Sequence, residues 1–116
     1  LRIHHVALRT RDIERLESFY VGVLGMRVTR RSGEGSVWLS LDEAILMIER
    51  AGDGEPGIPA GSMEMLAFAI PRKERETRIA RLRDASVPIE AETAFTLYFR
   101  DPDGRRVGLS HFPEAS

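Results

Sequence analysis

The sequence predicts an α+β fold of two successive βαβββ modules, forming a curved mixed sheet with a concave cleft. Three observations predict it: short runs of period-two apolar alternation, one amphipathic helical pattern in each half, and a Gly- and Pro-rich stretch near the middle. The 116 residues match the length of one domain. Within 1–116, the first module is read as residues 1–50, the linker as 51–62 and the second module as 63–116.

Leu1 to Arg9 alternates as a strand, with Val6 and Leu8 on one face and Ile3, His5 and Ala7 on the other. Asp12 is placed to cap a helix, since its carboxylate accepts from a backbone N–H one turn on. Ile13, Leu16, Phe19, Tyr20, Val23 and Leu24 follow at helical spacing, and Gly25 stands where a left-handed residue ends a helix. Met26 to Arg31 reads as a strand and 32–35 as a turn. Ser36 to Leu41 alternates cleanly, and Ala44 to Arg50 is a further strand after the Asp42-Glu43 turn. Residues 50–62 hold four Gly and two Pro in thirteen positions, which no regular element accommodates.

The second half repeats the first. Met63 to Ile70 is expected as a strand, Pro71 to Ser86 as a helix, Val87 to Glu90 as a short strand and Ala94 to Arg100 as the next. Asp101-Pro102-Asp103-Gly104 has strong turn chemistry, and Arg105 to Phe112 closes the chain as a strand. The halves agree in pattern, at an offset of about 60 residues, rather than in letters.

Strand parity then divides the side chains. The aliphatic and Phe positions suit contact with the helices, while the opposite face collects His5, Trp38, Ser40, Met47, Glu49, Met65, Tyr98, Arg100, Arg106, Gly108 and Ser110. A face that merely met water would be rich in Lys, Glu, Thr and Arg. Soft and aromatic side chains beside small ones suit a ligand surface with a few polar anchors. A second core or an interface between copies is the competing reading of that face.

Charge and composition exclude several classes. Seventeen basic residues against eighteen acidic ones leave a net charge of -1, which gives no electrostatic footprint for nucleic acid or an anionic membrane. There is no cysteine, so disulfides, thiolate ligands and thiol nucleophiles are absent. No apolar run reaches the length of a membrane span, and a cytoplasmic location is expected. The six basic residues between Arg72 and Arg83 alternate with Glu74 and Glu76 and read as a solvated helix face. The Gly-rich linker lacks the Gly-Lys-Ser/Thr ending of a phosphate loop.

His5-Val6-Ala7-Leu8, followed by Arg11-Asp12-Ile13-Glu14, Phe19-Tyr20 and Leu24-Gly25, resembles the opening of the vicinal oxygen chelate superfamily. Glyoxalase I, bleomycin-resistance proteins, fosfomycin-resistance enzymes and extradiol dioxygenases belong to it. Asp101-Pro102-Asp103-Gly104-Arg105 resembles the closing motif, so the likeness covers nearly the whole chain. It implies a glyoxalase/bleomycin resistance-type fold, a small-molecule ligand and a homodimer.

In metal-using members, the resemblance implies one ligand from the first and one from the last strand of each module. Those positions are His5, Met47, Met65 and Gly108 here, and only His5 suits a hard or borderline divalent ion. No cofactor is therefore expected. A competing reading has Zn, Ni, Mn or Fe held by His5 with Glu49, which shares its parity, in a lyase, isomerase or dioxygenase. A third reading is a structural or regulatory dimerisation module. The expected ligand contacts are His5, Trp38, Met47, Met65, Tyr98, Arg100, Gly108 and Ser110. Trp38 and Tyr98 stand where they can sandwich a planar ligand, and Arg100 and Arg106 where a guanidinium can grip an oxyanion. Whether the protein is catalytic stays open at the level of sequence.

Overall fold

A computed structural model describes residues 1–115. The chain divides into two units, Leu1–Gly57 and Ile58–Ser116, with the boundary inside the Gly- and Pro-rich stretch. The strands form two four-stranded mixed sheets, one in each unit.

In the first unit, β1 (His5–Thr10) is followed by α1 (Ile13–Glu17), a π-helical segment (Ser18–Val23), β2 (Val28–Ser32), β3 (Ser36–Leu41) and β4 (Ala44–Arg50). The sheet order is β1-β4-β3-β2, with β1 parallel to β4 and the other pairs antiparallel. Asp12 caps α1 as expected, its Oδ1 accepting from the Arg15 backbone N–H at 3.1 Å. The expected regular helix to Leu24 instead widens after Glu17, where the Leu24 N–H reaches back five residues to the Phe19 carbonyl at 3.1 Å. The wider turn accompanies the burial of two adjacent aromatics, Phe19 and Tyr20, which meet edge to face at 5.2 Å. Gly25, at a φ of 79°, ends the segment in the left-handed region. Beneath the helix, Leu8, Val37, Leu39, Leu46 and Ile48 are buried, so the aliphatic parity does face the core.

In the second unit, β5 (Met65–Ala69) leads through a 3-10 turn (Arg72–Glu74) into α2 (Arg75–Asp84), then β6 (Ala91–Glu92), β7 (Thr96–Arg100) and β8 (Arg106–Ser110). The order β5-β8-β7-β6 repeats that of the first sheet, with β5 parallel to β8. Leu82, Leu97, Phe99, Val107 and Leu109 make its core. The short strand expected at Val87 to Glu90 lies later, at Ala91–Glu92, because Pro88 has no N–H to donate to a ladder. Arg78 pairs with Glu74 at 3.0 Å, one turn away on the solvated helix face. The 101–104 turn is organised by Asp101, whose Oδ1 accepts from the backbone N–H groups of Asp103 at 2.9 Å and Arg105 at 3.1 Å. Among the described residues no helix is long and apolar enough to cross a membrane.

Candidate functional site

Register fixes which side chains share the face opposite each core. In the first sheet, His5 lies beside Ile45 and Ser40, Ala7 beside Met47 and Trp38, and Arg9 beside Glu49 and Ser36. In the second, Met65 lies beside Arg106 and Arg100, Ala67 beside Gly108 and Tyr98, and Ala69 beside Ser110 and Thr96. Trp38 opposite Met47 and Tyr98 opposite Gly108 therefore hold equivalent positions, as the sequence pattern suggests. His5 and Met47 form the same diagonal across neighbouring strands as Met65 and Gly108.

Both aromatic rings already carry a cation. The Arg30 guanidinium stands 5.0 Å from the Trp38 ring centroid, and that of Arg106 stands 4.3 Å from the Tyr98 centroid. The Trp38 indole N–H donates to the Ser36 hydroxyl at 3.1 Å. Each ring thus has one face engaged within its own unit. The Ser110 hydroxyl accepts from the Thr96 hydroxyl at 2.9 Å and is tied into the cross-strand pair.

Gly108 is buried, and the space above it is filled. A β-carbon there would lie 2.7 Å from Met65 Cε and 3.4 Å from Ala67 Cβ and Thr96 Cγ2. Met65 folds its thioether arm across the residue that offers no side chain, so the two positions act together as a packed apolar pair.

The metal reading meets a poor donor set. Thioethers at 47 and 65 are soft ligands, and Gly108 contributes nothing, which leaves His5 alone among the four positions. His5 Nδ1 is 2.9 Å from His4 Nδ1, so one ring donates to the other there. Glu49 lies four residues along the register from His5, about 13 Å at the usual strand rise. It pairs instead with Arg9 at 3.3 Å. Among the described residues no group of three or more His, Cys, Asp or Glu converges on one point. A catalytic divalent site needs three protein donors, and the residues present do not fit one.

Arg100 is committed to the protein. Nε and Nη2 donate to the two Glu90 oxygens at 2.6 and 3.0 Å, and Nη1 donates to the Ser62 carbonyl at 2.6 Å and the Gly104 carbonyl at 3.2 Å. Nη2 also approaches the Met63 sulfur at 3.9 Å, so all five N–H donors have acceptors. These hydrogen bonds hold the Glu90 carboxyl below the usual carboxylate range, against the cost of desolvation, with Arg106 adding attraction. Arg106 is the less committed cation, since its Nε is sealed from solvent, lies 3.4 Å from Glu90 and makes no hydrogen bond. The sequence marks both arginines as possible oxyanion grips and Arg100 alone as a ligand contact; it gives no sign that Glu90, Ser62 and the Gly104 carbonyl of the 101–104 turn take up the Arg100 donors.

Residues 2–109 match the family model described as the Glyoxalase/Bleomycin resistance protein/Dioxygenase superfamily. Among solved structures, the chain is similar to a glyoxalase/dioxygenase from Nostoc punctiforme, with a TM-score of 0.83 and 20% identity over 97% of this chain and 92% of that one. A lactoylglutathione lyase from Agrobacterium tumefaciens gives 0.75 and 20%, over 96% of this chain and 93% of that one. The fosfomycin resistance protein FosX from Mesorhizobium loti gives 0.78 and 17%, over 94% and 90%. At these identities the structural likeness speaks to fold.

Proposed function

Because the chain belongs to the glyoxalase/bleomycin resistance protein/dioxygenase superfamily, we propose that it binds a small organic molecule without the divalent ion of the metal-using members. The observation that carries this reading is the fate of the four positions where such members place ligands. Met65 and Gly108 pack against each other, Met47 offers a soft thioether, and His5 alone of the four carries a nitrogen donor. The same substitutions support an apolar floor, against which an aromatic or aliphatic body gains by leaving water. His5, Trp38, Met47, Met65, Tyr98 and Ser110 are the contacts this reading assigns. It has the protein sequester its ligand, as a homodimer in the cytoplasm.

A thermal-shift screen of aromatic and thiol-conjugate compounds against chelator-treated protein tests it. The reading expects several compounds to raise the melting temperature and to perturb Trp38 fluorescence, and to be recovered unchanged. Failure of every compound to stabilise the protein, or stabilisation only after a divalent metal is added, would contradict it. Recovery of a converted product would replace sequestration with metal-free turnover.

A further inference from the structure

The Ile58–Ser116 unit contains a cavity of about 230 Å³ at the start of β5 and β8. Its walls include the apolar groups of Ile58, Pro59, Met65 and Leu66, and charged side chains border it, among them Glu64 and Arg106. Arg105 also borders it, but its guanidinium is paired with Asp101 at 3.2 Å and Asp103 at 3.3 Å.

The electrostatics turn on Glu90. This single carboxylate faces two guanidiniums, Arg100 at 2.6 Å and Arg106 at 3.4 Å, so the group carries one positive charge in excess. Arg100 has spent its donors on Glu90, the loop carbonyls and Met63. The excess therefore belongs functionally to Arg106, the member of the pair that borders the cavity. Tyr98 lies 4.3 Å beneath its guanidinium and only 13% of its side chain is exposed, so its position is set before any ligand arrives. A positioned guanidinium beside apolar walls recognises an oxyanion joined to an apolar body, because the fork matches carboxylate and phosphate oxygens.

We propose that this cavity is an oxyanion subsite, in which Arg106 takes the carboxylate, phosphate or phosphonate group of the ligand and Ile58, Pro59 and Met65 take its apolar part. The inference rests on the small-molecule reading above and narrows it to anionic, amphipathic ligands. Glu64, exposed on the rim, opposes the anion and sets a limit on its affinity.

The test uses three probes that share one ring: benzoate, phenylphosphonate and neutral benzamide. Affinities and backbone amide shifts are measured on the full chain by NMR titration. The proposal expects at least one anion to bind about tenfold more tightly than benzamide, a gap of about 1.4 kcal/mol, with shifts centred on residues 58–66 and 104–107. Comparison of benzoate with phenylphosphonate then assigns the carboxylate or phosphonate source. Arg106→Gln removes the preference for the anion. Because Arg106 also packs on Tyr98 and that variant can lose its fold, Glu64→Gln supplies an independent reading at an exposed position, where both anions bind more tightly and benzamide does not change. Added salt weakens the anions and leaves benzamide unaffected.

Equal affinity for benzamide and the anions overturns the oxyanion proposal and leaves the small-molecule reading standing. So do shifts confined to other residues, or anion affinities indifferent to both substitutions. Absence of anion binding overturns it as well. Only the additional failure of every compound in the thermal-shift screen removes both.

Discussion

The methyl group of Met65 lies where a side chain on Gly108 would begin, 2.7 Å from the position a β-carbon there would take. Two neighbouring strands of the second sheet thereby share one side chain's volume, and the bare α-carbon of Gly108 leaves the room that the Met65 methyl fills. Replacing Gly108 by Ala forces the flexible end of Met65 aside and is expected to cost about 1–2 kcal/mol, by overpacking. Combining it with Met65→Ala should recover part of that cost, so that the two changes are non-additive by about 1 kcal/mol in denaturant unfolding. Strict additivity would show that the residues do not compete for the same volume.

Asp101 is the keystone of the last turn. Its side chain is fully buried, accepts two backbone N–H groups and pairs with Arg105 at 3.2 Å. Asp101→Ala strands buried donors and is expected to destabilise by about 3 kcal/mol, with Asp101→Asn costing less because one oxygen remains to accept. Equilibrium unfolding by urea measures both, and a loss well below 1 kcal/mol for the Ala variant would contradict the role.

Ser86 ends α2 in the left-handed region at a φ of 58°. Its N–H reaches the Arg83 carbonyl at 2.9 Å and the Val87 N–H reaches that of Leu82 at 2.8 Å, a closure that usually employs glycine. Ser86→Gly relieves the left-handed penalty at some entropic cost and should raise stability by about 0.5 kcal/mol. A lower melting temperature would show that the serine side chain contributes something the backbone geometry does not.

The segment after β4 is tied to β1 by charge. Arg9 donates to Glu55 at 3.0 and 2.9 Å, which together with the Gly52 backbone N–H brings the Glu55 carboxyl down from 4.5 to about 2. A depressed folded-state value means that the tie is fully present above pH 4.5 and is lost as the pH falls through about 2. Carbon-detected NMR titration of the Glu55 carboxyl should give a midpoint near that lower value, and Arg9→Gln should raise it toward the ordinary range, short of it because the Gly52 N–H still donates. An ordinary midpoint in the unsubstituted protein would break the assignment.

Some elements were written plainly in the chain and others were not. Ser36–Leu41 and Ala44–Arg50 occupy the spans their alternation marks, because a one-residue slip would turn Val37, Leu39, Leu46 and Ile48 out of the core. The widening of the first helix was not legible, since adjacent aromatics at 19 and 20 fit a regular helical stripe equally well on paper. The last short strand moved from 87–90 to Ala91–Glu92, where only a two-residue pairing with β7 forms and periodicity has too few residues to register. Parity put His5, Met47, Trp38, Met65 and Tyr98 on the face opposite the aliphatic core, as the register has them, while Gly108 on the same face is buried. It could not show that Arg100 is saturated by loop carbonyls, or that Met65 fills the space over Gly108. Those facts depend on side-chain conformation and on backbone groups from irregular segments, which pattern does not encode.

The account depends most on the donor set at His5, Met47, Met65 and Gly108. Isothermal titration of Zn, Ni, Mn and Fe salts into chelator-treated protein, repeated on His5→Ala, tests it most directly. The account predicts no saturable binding near one ion per chain, and traces that are the same with and without the His5 imidazole. One equivalent of any of these ions bound tightly by the unsubstituted protein, and lost in His5→Ala, would contradict it.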